Sequence, residues 1–299
     1  MAGANGAGVD EAAFMAEAAA LRPALHRYCA RLLGSVLDAE DVVQDALVRA
    51  LVALRGLDAP PEPRAWLFRI AHNRALDLLR SRTVRAAQPI EAADDLADPD
   101  HEPADETLMR QEAVGTALDR FQGLPVIQRS VVILKDVLGQ SLQEIAGLLD
   151  LTVDAVKAHL ARGRARLRTI NAQPPAAVPP VRPVSPAVAR YAALFNGRDW
   201  EALRALLVDD VRLAQSNLPP RVGAADVGMF FGAYARLEPV FLAPAWLEGR
   251  EVLAVFAAEG DARPIYLMWL DWRDGGIAFI RDYRYVPYVI EAADLRLAP

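Results

Sequence analysis

The side chains with the clearest chemical potential lie between residues 141 and 168, SLQEIAGLLDLTVDAVKAHLARGRARLR, where basic groups recur at helical spacing. Guanidinium and ammonium groups bind phosphate oxygens, and arginine can also form a bidentate pair with guanine. A helix that presents such groups on its outer faces can therefore bind nucleic acid. The predicted DNA contacts on this helix are Thr152, Ala155, Lys157, Ala158, His159, Arg162, Arg164 and Arg166.

Two outer faces of this helix have different predicted partners. The face aimed at base edges carries Ala155, Ala158, His159, Arg162 and Arg166. Lys157, Arg164 and Arg168 lie further round and suit phosphates, which fix position without reading sequence. Two roles stay open, because Arg162 could read guanine or only bind phosphate, and His159 could contact a base or be a solvated surface histidine.

The elements that position these groups are two short helices joined by a tight turn. Ser141 and Glu144 form a capping-box pattern at the start of the first helix, and Thr152 is a typical N-cap for the second. Core spacing of Val156, Leu160, Gly163 and Leu167 predicts the inward face of the second helix. This arrangement is typical of a helix-turn-helix, which places its second helix in the major groove.

A second polar face occurs upstream, on the predicted helix AWLFRIAHNRALDLLR. Arg69, Asn73, Asp77 and Arg80 recur there at helical spacing, and a mixture of amide and guanidinium groups can contact bases and backbone. The alternative is an ordinary solvated face of an amphipathic helix. The acidic segment DAEDVVQDAL repels DNA, so its polar face should be solvated or meet a protein.

Composition shifts along the chain predict a multidomain protein with two all-α domains and a C-terminal α+β domain. Its last part should begin with helices over 187–207 and continue from Leu237 as a curved antiparallel sheet with a hairpin turn at Asp274-Gly275-Gly276. The predicted boundaries are 10–87 for the helical bundle, 88–107 for an acidic linker, 108–171 for the helix-turn-helix domain, 172–186 for a proline-rich linker and 187–299 for the α+β domain.

Composition also excludes several classes of protein. The 299 residues carry a formal net charge of −6, with acid and base segregated along the chain, which favours local DNA contacts and the need for a partner. No apolar run reaches membrane-spanning length, the N-terminus lacks a secretory pattern, and the single Cys29 predicts a small buried side chain. We expect a cytoplasmic protein with no metal centre and no cofactor.

Three segments occur in one order: DAEDVVQDALVRAL, RAWLFRIAHNRALDLLR and the helix-turn-helix. Together they resemble the extracytoplasmic-function (ECF) sigma factors of bacterial RNA polymerase over about residues 12–170. The resemblance implies that the two helical domains are sigma regions 2 and 4, that core RNA polymerase (its β′ and β subunits) and promoter DNA are the partners, and that the helix from Thr152 reads the −35 element. It further implies −10 contacts by Arg64, Trp66, Arg69, Asn73, Asp77 and Arg80, and polymerase contacts by Asp38, Glu40, Asp41, Gln44 and Asp45.

The last segment, with FNGRDWEALRALLVDDVRL followed by strands, resembles the α+β cone of SnoaL-like polyketide cyclases. In some sigma factors of this group such a tail is taken to regulate activity in place of a separate anti-sigma protein. We expect the tail of this chain to pack on the first two domains or to bind a small-molecule ligand. Tyr266, Trp269, Asp282, Tyr283 and Tyr285 are the predicted lining of a tail pocket. No nucleophile triad or phosphate loop is present in the sequence, so we expect no enzymatic activity and no catalytic residues.

Three hypotheses differ in what they predict. A sigma factor needs core polymerase to act at promoters. A stand-alone helix-turn-helix regulator with a ligand-binding or dimerising tail would bind an operator without polymerase. An enzyme merely targeted to nucleic acid would turn over a small molecule with residues 187–299.

Overall fold

A computed structural model describes residues 11–57, 62–86, 117–174, 181–216, 218–291 and 293–299. It divides into two compact units, Met1–Ala176 and Ala177–Pro299. The predicted acidic linker, 88–107, lies outside the described residues, as do residues 108–116 and residues 175–180 of the proline-rich linker.

The first unit begins with a three-helix bundle, here called the N-terminal bundle: α1 (Glu11–Leu33), α2 (Val36–Leu54) and α3 (Pro63–Ala86). Ser35 caps α2 by accepting a hydrogen bond from the Asp38 amide, and proline at the start of α3 has no amide to leave unpaired. Cys29 is fully buried, as predicted, and burial raises the pKa of its thiol. The helices meet around fully buried Tyr28 and Phe68, whose rings pack edge to face.

The same unit continues with the helix-turn-helix module: α4 (Leu118–Phe121), α5 (Val126–Val132), a π-helical turn (Ile133–Val137), α6 (Leu142–Leu149) and α7 (Val153–Asn171). The predicted capping box is present between Ser141 and Glu144, and Asp150 ends α6 in the left-handed conformation with φ 56°. Thr152 Oγ1 accepts from the Ala155 amide at 3.1 Å, so the predicted second N-cap is confirmed.

The two modules of this unit pack directly on each other. Arg129 donates to the carbonyl of Leu32 at 2.6 Å, and Gln122 Nε2 donates to the carbonyl of Arg31 at 3.1 Å. Both carbonyls belong to the last turn of α1, where they have no helical partner of their own. The chain leaves α1 through Gly34 at φ +73°, so side chains of the helix-turn-helix module cap the end of a helix in the N-terminal bundle.

The second unit, here called the tail, is an α+β domain, as predicted. Its elements are α8 (Pro186–Asn196), α9 (Trp200–Arg204), β1 (Leu207–Gln215), β2 (Arg221–Val222), α10 (Ala224–Arg236), β3 (Phe241–Leu247), β4 (Arg250–Phe256), β5 (Tyr266–Arg273), β6 (Gly276–Asp282), α11 (Tyr288–Glu291) and β7 (Arg296–Leu297). The seven strands form one sheet in the order β2-β1-β6-β5-β4-β3-β7. One face of the sheet and helices α8 and α10 bury an aromatic core around Tyr191, Phe195 and Phe231.

Two features of the tail differ from the sequence prediction. The sheet is mixed rather than antiparallel, because β1 pairs in parallel with β6. The predicted hairpin turn at Asp274-Gly275-Gly276 is present between β5 and β6, but β1, β2 and α10 were not predicted. The end of the predicted proline-rich linker belongs to the tail, because Trp246 Nε1 donates to the Arg182 carbonyl at 2.7 Å and Ser185 bonds the Glu251 carboxylate.

Candidate nucleic-acid interface

The predicted recognition helix α7 presents its basic side chains as its periodicity requires. Val156, Leu160, Gly163 and Leu167 are buried, which confirms the inward face. Gly163 permits close packing, since a Cβ there would lie 2.7 Å from Val132 Cγ2. Thr152, Lys157, Arg162, Arg166 and Arg168 are exposed, and Ala155, Ala158 and His159 are half-buried.

Arg164 does not belong to this outer surface, contrary to the prediction. Its guanidinium donates from Nε to Asp136 Oδ2 at 3.1 Å and from Nη2 to Asp136 Oδ1 at 2.8 Å. The Arg164 side chain is 12% exposed and that of Asp136 is 1% exposed. Because a bidentate buried pair occupies the guanidinium, Arg164 joins α7 to the π-helical turn and is not placed to bind phosphate.

The polar groups near the middle of α7 form a compact donor and acceptor set. An Arg162 guanidinium nitrogen lies 3.5 Å from His159 Nδ1. Partial burial, and then the charge of Arg162, lower the pKa of His159. His159 is therefore neutral at physiological pH, with one nitrogen to donate and one to accept a hydrogen bond.

Helix α3 carries the six predicted −10 residues in contrasting environments. The Arg64 guanidinium lies over the Phe68 ring at 5.5 Å, and the half-buried Trp66 packs edge to face on Phe14 at 5.7 Å. Arg69, Asn73, Asp77 and Arg80 are exposed at helical spacing. Three of them are also engaged within the chain: Arg69 donates to the Gly147 carbonyl at 2.6 Å, and Asp77 accepts from Arg80 at 3.1 Å.

Helix α2 holds the predicted polymerase-binding residues, and one of them is placed wrongly by the prediction. Glu40 is fully buried and forms an ion pair with Arg22 of α1, so its carboxylate cannot meet a partner. Gln44 accepts from the same guanidinium. Asp38 pairs with Arg82, Asp45 pairs with Arg49 and Arg74, and Asp41 is exposed.

Sequence reasoning missed two apolar residues of the same helix. Val48 is 51% exposed and Val52 is 66% exposed, one turn apart and following Asp41 and Asp45 at helical spacing. Exposed valines at i and i+4 on an otherwise polar face were the available signal. The acidic surface of α2 therefore continues into an apolar patch, which is typical of a surface that meets a protein.

The residues of the predicted tail pocket lie in different environments. Asp282 is fully buried, accepts from Gln215 Nε2 at 2.7 Å and from the Tyr234 hydroxyl at 3.3 Å, and Tyr234 in turn lies 2.7 Å from the Tyr266 hydroxyl. Burial raises the pKa of Asp282 to about 6. The structure thus joins Tyr266 and Asp282 through Tyr234, a residue that the sequence prediction had not included.

The other predicted pocket residues make different contacts. Trp269 packs against Phe279 at 5.8 Å and lies under the Arg250 guanidinium at 5.7 Å. Tyr283 is buried under the Arg281 guanidinium at 5.2 Å, and Tyr285 is 48% exposed. A pocket lined by all five side chains therefore stays a prediction.

The described residues also bear on metal binding and on membrane spanning. Across the described ranges, no group of three or more histidine, cysteine, aspartate or glutamate side chains could hold a metal ion. Among the helices that the structure describes, none combines the length and the apolar character that crossing a bilayer requires.

A helix-turn-helix with a basic outer surface, preceded by a helical bundle with a second polar face, defines a modular DNA-binding protein of the sigma type. Family models agree: residues 18–85 match sigma-70 region 2 and residues 116–167 match sigma-70 region 4. SigW of Bacillus subtilis, an ECF RNA polymerase sigma factor, is 31% identical over 152 residues, covering 48% of this chain and 81% of SigW. The chain belongs to the family of ECF RNA polymerase sigma factors.

A further relative and two solved structures are also similar to this chain. SigG of Mycobacterium tuberculosis is 32% identical over 235 residues, covering 70% of this chain, and the match spans only 62% of the length of SigG. The solved structure of SigJ, an ECF sigma factor of Mycobacterium tuberculosis, is 22% identical and covers 90% of this chain and 95% of that chain, with a TM-score of 0.34. A Kribbella flavida protein described as a ketosteroid isomerase is 30% identical over 32% of this chain and 74% of that chain, with a TM-score of 0.27.

Proposed function

We propose that this chain binds core RNA polymerase through the β′ and β subunits and directs it to promoters by contacting the −10 and −35 elements. The observation that carries this proposal is the arrangement of α7, whose core face is buried and whose cationic side chains project outward. Family membership supplies the partner, since the matched regions are those of RNA polymerase sigma factors. We further propose that the chain acts in the cytoplasm and catalyses nothing itself.

The proposed −35 contacts fall into two groups, contacts to phosphates and contacts to base edges. Lys157 and Arg168 are exposed cations and bind phosphates, which gives affinity and register. Arg166, which was predicted on the face aimed at base edges, is now assigned to phosphate as well, because it is exposed one turn beyond Arg162 toward the end of α7. His159 and Arg162 lie 3.5 Å apart near the middle of the helix and present donors and an acceptor to base edges. The short side chains of Ala155 and Ala158, with Thr152 at the helix entrance, allow close approach to the groove.

The −10 contacts are proposed to come from α3. Asn73 and Arg80 are exposed on its outer face and provide amide and guanidinium donors. Trp66, half-buried against Phe14, offers a ring edge near the start of the helix, and Arg64 lies over Phe68. Such groups can hold bases of an opened strand by stacking and hydrogen bonding.

Polymerase binding is proposed to use the outer surface of α2. Asp41 and Asp45 supply negative charge, and Val48 and Val52 supply exposed apolar area. An acidic surface that continues into an apolar patch suits a protein partner more than DNA, because carboxylates repel phosphates. Glu40 and Gln44 act behind this surface by fixing Arg22 between α1 and α2.

The tail is proposed to regulate the sigma modules. It has its own buried core, so it can bind a signal molecule that the helical modules do not bind. Its buried Asp282–Tyr234–Tyr266 hydrogen-bond network offers polar groups that a small-molecule ligand could bind, which would shift the conformation of the tail. Regulation of this kind needs no catalytic step in the tail.

Run-off transcription with core RNA polymerase on a library of genomic fragments tests the proposal. We expect the full chain to direct initiation and Arg162→Ala to lose it at the same start sites. Arg27→Ala, which changes an exposed arginine of α1, is the matched control and should initiate normally. A chain ending near residue 172, just after α7, reports the contribution of the tail.

The result also separates the rival functions. If no form of the chain directs initiation on any fragment, the proposal fails. Sequence-specific binding of duplex DNA without polymerase would instead support a stand-alone regulator.

A further inference from the structure

A row of ion pairs joins α2 to the outer face of α3. Arg74 Nε donates to Asp45 Oδ2, and Arg74 Nη1 donates to Asp77 Oδ2 at 3.4 Å. Arg80 Nη1 donates to the other carboxylate oxygen of Asp77 at 3.1 Å. Under the proposed function, Asp45 meets polymerase and Arg80 meets −10 DNA, so the row connects the two binding surfaces. The proposed function gives Arg74, at the centre of the row, no role.

Two guanidinium groups share one oxygen at the α2 end of the row. Arg49 Nε donates to Asp45 Oδ2 at 3.1 Å, and Arg74 donates to the same oxygen. The Asp45 side chain is partly exposed, so a protein partner can reach it. A positive group of the polymerase that pairs with Asp45 must therefore compete with both arginines. Ion pairs near the surface contribute little free energy each, so such a group can displace Arg74.

The other end of the row presents a carboxylate on a face that is proposed to meet DNA. The Asp77 side chain is exposed, and its negative charge opposes the approach of phosphates. Its bond to Arg80 also occupies a guanidinium that could otherwise bind the strand. A second arginine that neutralises Asp77 would remove both obstacles. Arg74 is suited to this role, because side chains three residues apart on a helix are neighbours.

Arg74 has room to change partners. It borders a cleft of about 360 Å³ between α2 and α3, which Asp45 and Asp77 also line. Its 3.4 Å bond to Asp77 is long, so a closer pair can form there once another group has taken Asp45. Movement of one half-buried side chain then transfers positive charge from α2 to the outer face of α3.

We propose that Arg74 is a positioning residue that couples polymerase binding to the −10 contact, an inference that rests on the proposed function. When a positive group of the polymerase pairs with Asp45, Arg74 leaves that carboxylate and pairs more closely with Asp77. Asp77 then attracts Arg80 less strongly, and the Arg80 guanidinium binds phosphates of the opened strand. In the free chain Asp45 holds Arg74, so Arg80 stays paired with Asp77.

Two affinities of the full chain test this coupling: that of the chain for core RNA polymerase, and that of the resulting holoenzyme for a fork-junction DNA. The DNA carries the −10 element of a promoter identified by the run-off test. Arg74→Gln removes a competitor for Asp45 and should tighten core binding about two- to fivefold. It also leaves Asp77 paired with Arg80 and should weaken DNA binding by about the same factor. A purely structural defect would weaken both.

Arg49→Gln is the matched control, because it frees the same Asp45 oxygen from an arginine of α2. It should tighten core binding as Arg74→Gln does and leave DNA binding unchanged. Asp77→Asn completes a double-mutant cycle with Arg74→Gln. In the Arg74→Gln background it should release Arg80 and restore DNA binding about two- to fivefold, whereas with Arg74 present it should have a smaller effect.

Three results would each overturn the coupling. They are weaker core binding by Arg74→Gln, equal loss of DNA binding in Arg49→Gln and Arg74→Gln, and an equal effect of Asp77→Asn in both backgrounds. Failure of the proposed function is a different result, because the run-off test would then yield no promoter, which overturns both proposals.

Discussion

Replacing Arg164 by alanine tests the reassignment of this residue from DNA contact to internal ion pair. The substitution removes both hydrogen bonds to Asp136, at 3.1 Å and 2.8 Å, and leaves a carboxylate that is 1% exposed without its cation. Removing one partner of a buried ion pair costs about 3–5 kcal/mol, because the remaining charge is poorly solvated. The free energy of opening of the helix-turn-helix module should fall by that amount.

Amide hydrogen exchange across α5, the π-helical turn and α7 measures this local free energy in the full chain. Arg166→Ala is the matched control, since Arg166 is exposed on the same helix, and it should change stability by less than about 0.5 kcal/mol. The double variant Arg164→Met with Asp136→Leu should recover most of the loss, because it removes both charges and keeps side-chain volume.

DNA binding should show the opposite ranking. Arg166→Ala is expected to lower affinity for a duplex and to reduce the slope of log affinity against log salt by about one, as expected for the loss of one phosphate contact. Arg164→Met with Asp136→Leu should leave the slope unchanged. The ion-pair interpretation is refuted if Arg164→Ala is as stable as Arg166→Ala and weakens DNA binding equally.

Three further predictions concern other parts of the chain. Gly163→Leu should destabilise the helix-turn-helix module by at least about 1–3 kcal/mol, because even a Cβ at this position would lie 2.7 Å from a Val132 methyl. Hydrogen exchange measures this loss, and unchanged exchange in α5 would contradict the close packing of α7 on α5. Asp41→Lys should weaken binding to core polymerase in a pull-down and lower the melting temperature less than Glu40→Ala does, because Glu40 is fully buried in an ion pair and Asp41 is exposed. Equal effects on both readouts would contradict the burial of Glu40. The pKa of buried Asp282 is raised to about 6. The contribution of its protonated form to tail stability is therefore fully present below about pH 4 and is lost as pH rises through 6, an effect of at most about 3 kcal/mol. Hydrogen exchange of β6 should show this pH trend in the wild type and not in Asp282→Asn.

Local patterns predicted the helix-turn-helix accurately because its determinants are close in sequence. The Ser141–Glu144 capping box and the Thr152 cap each join groups three residues apart, and the buried face of α7 follows from a period of 3.6 residues. Core positions such as Val156 and Leu160 could therefore be read directly from spacing.

The misplaced residues have partners that lie far away along the chain. Arg164 pairs with Asp136 and Glu40 pairs with Arg22, at separations of 28 and 18 residues. A charged residue on a predicted helix looks exposed until its partner is known, since burial of a charge requires a counter-charge that sequence spacing does not reveal. Strand β1 was missed for a similar reason, because its parallel partner β6 lies at the other end of the tail.

The contacts between the two sigma modules bear on how promoter binding would begin. Arg69 donates to the Gly147 carbonyl at 2.6 Å, so in this arrangement its guanidinium already has a partner in α6. Under the proposed function, a contact of Arg69 with −10 DNA must replace that bond, and movement of the modules apart must also break the Arg129 and Gln122 bonds to the end of α1. Polymerase and DNA can offset the free energy of breaking these bonds only by binding the separated arrangement more tightly than the packed one. The packed arrangement is thus a competitor of promoter recognition.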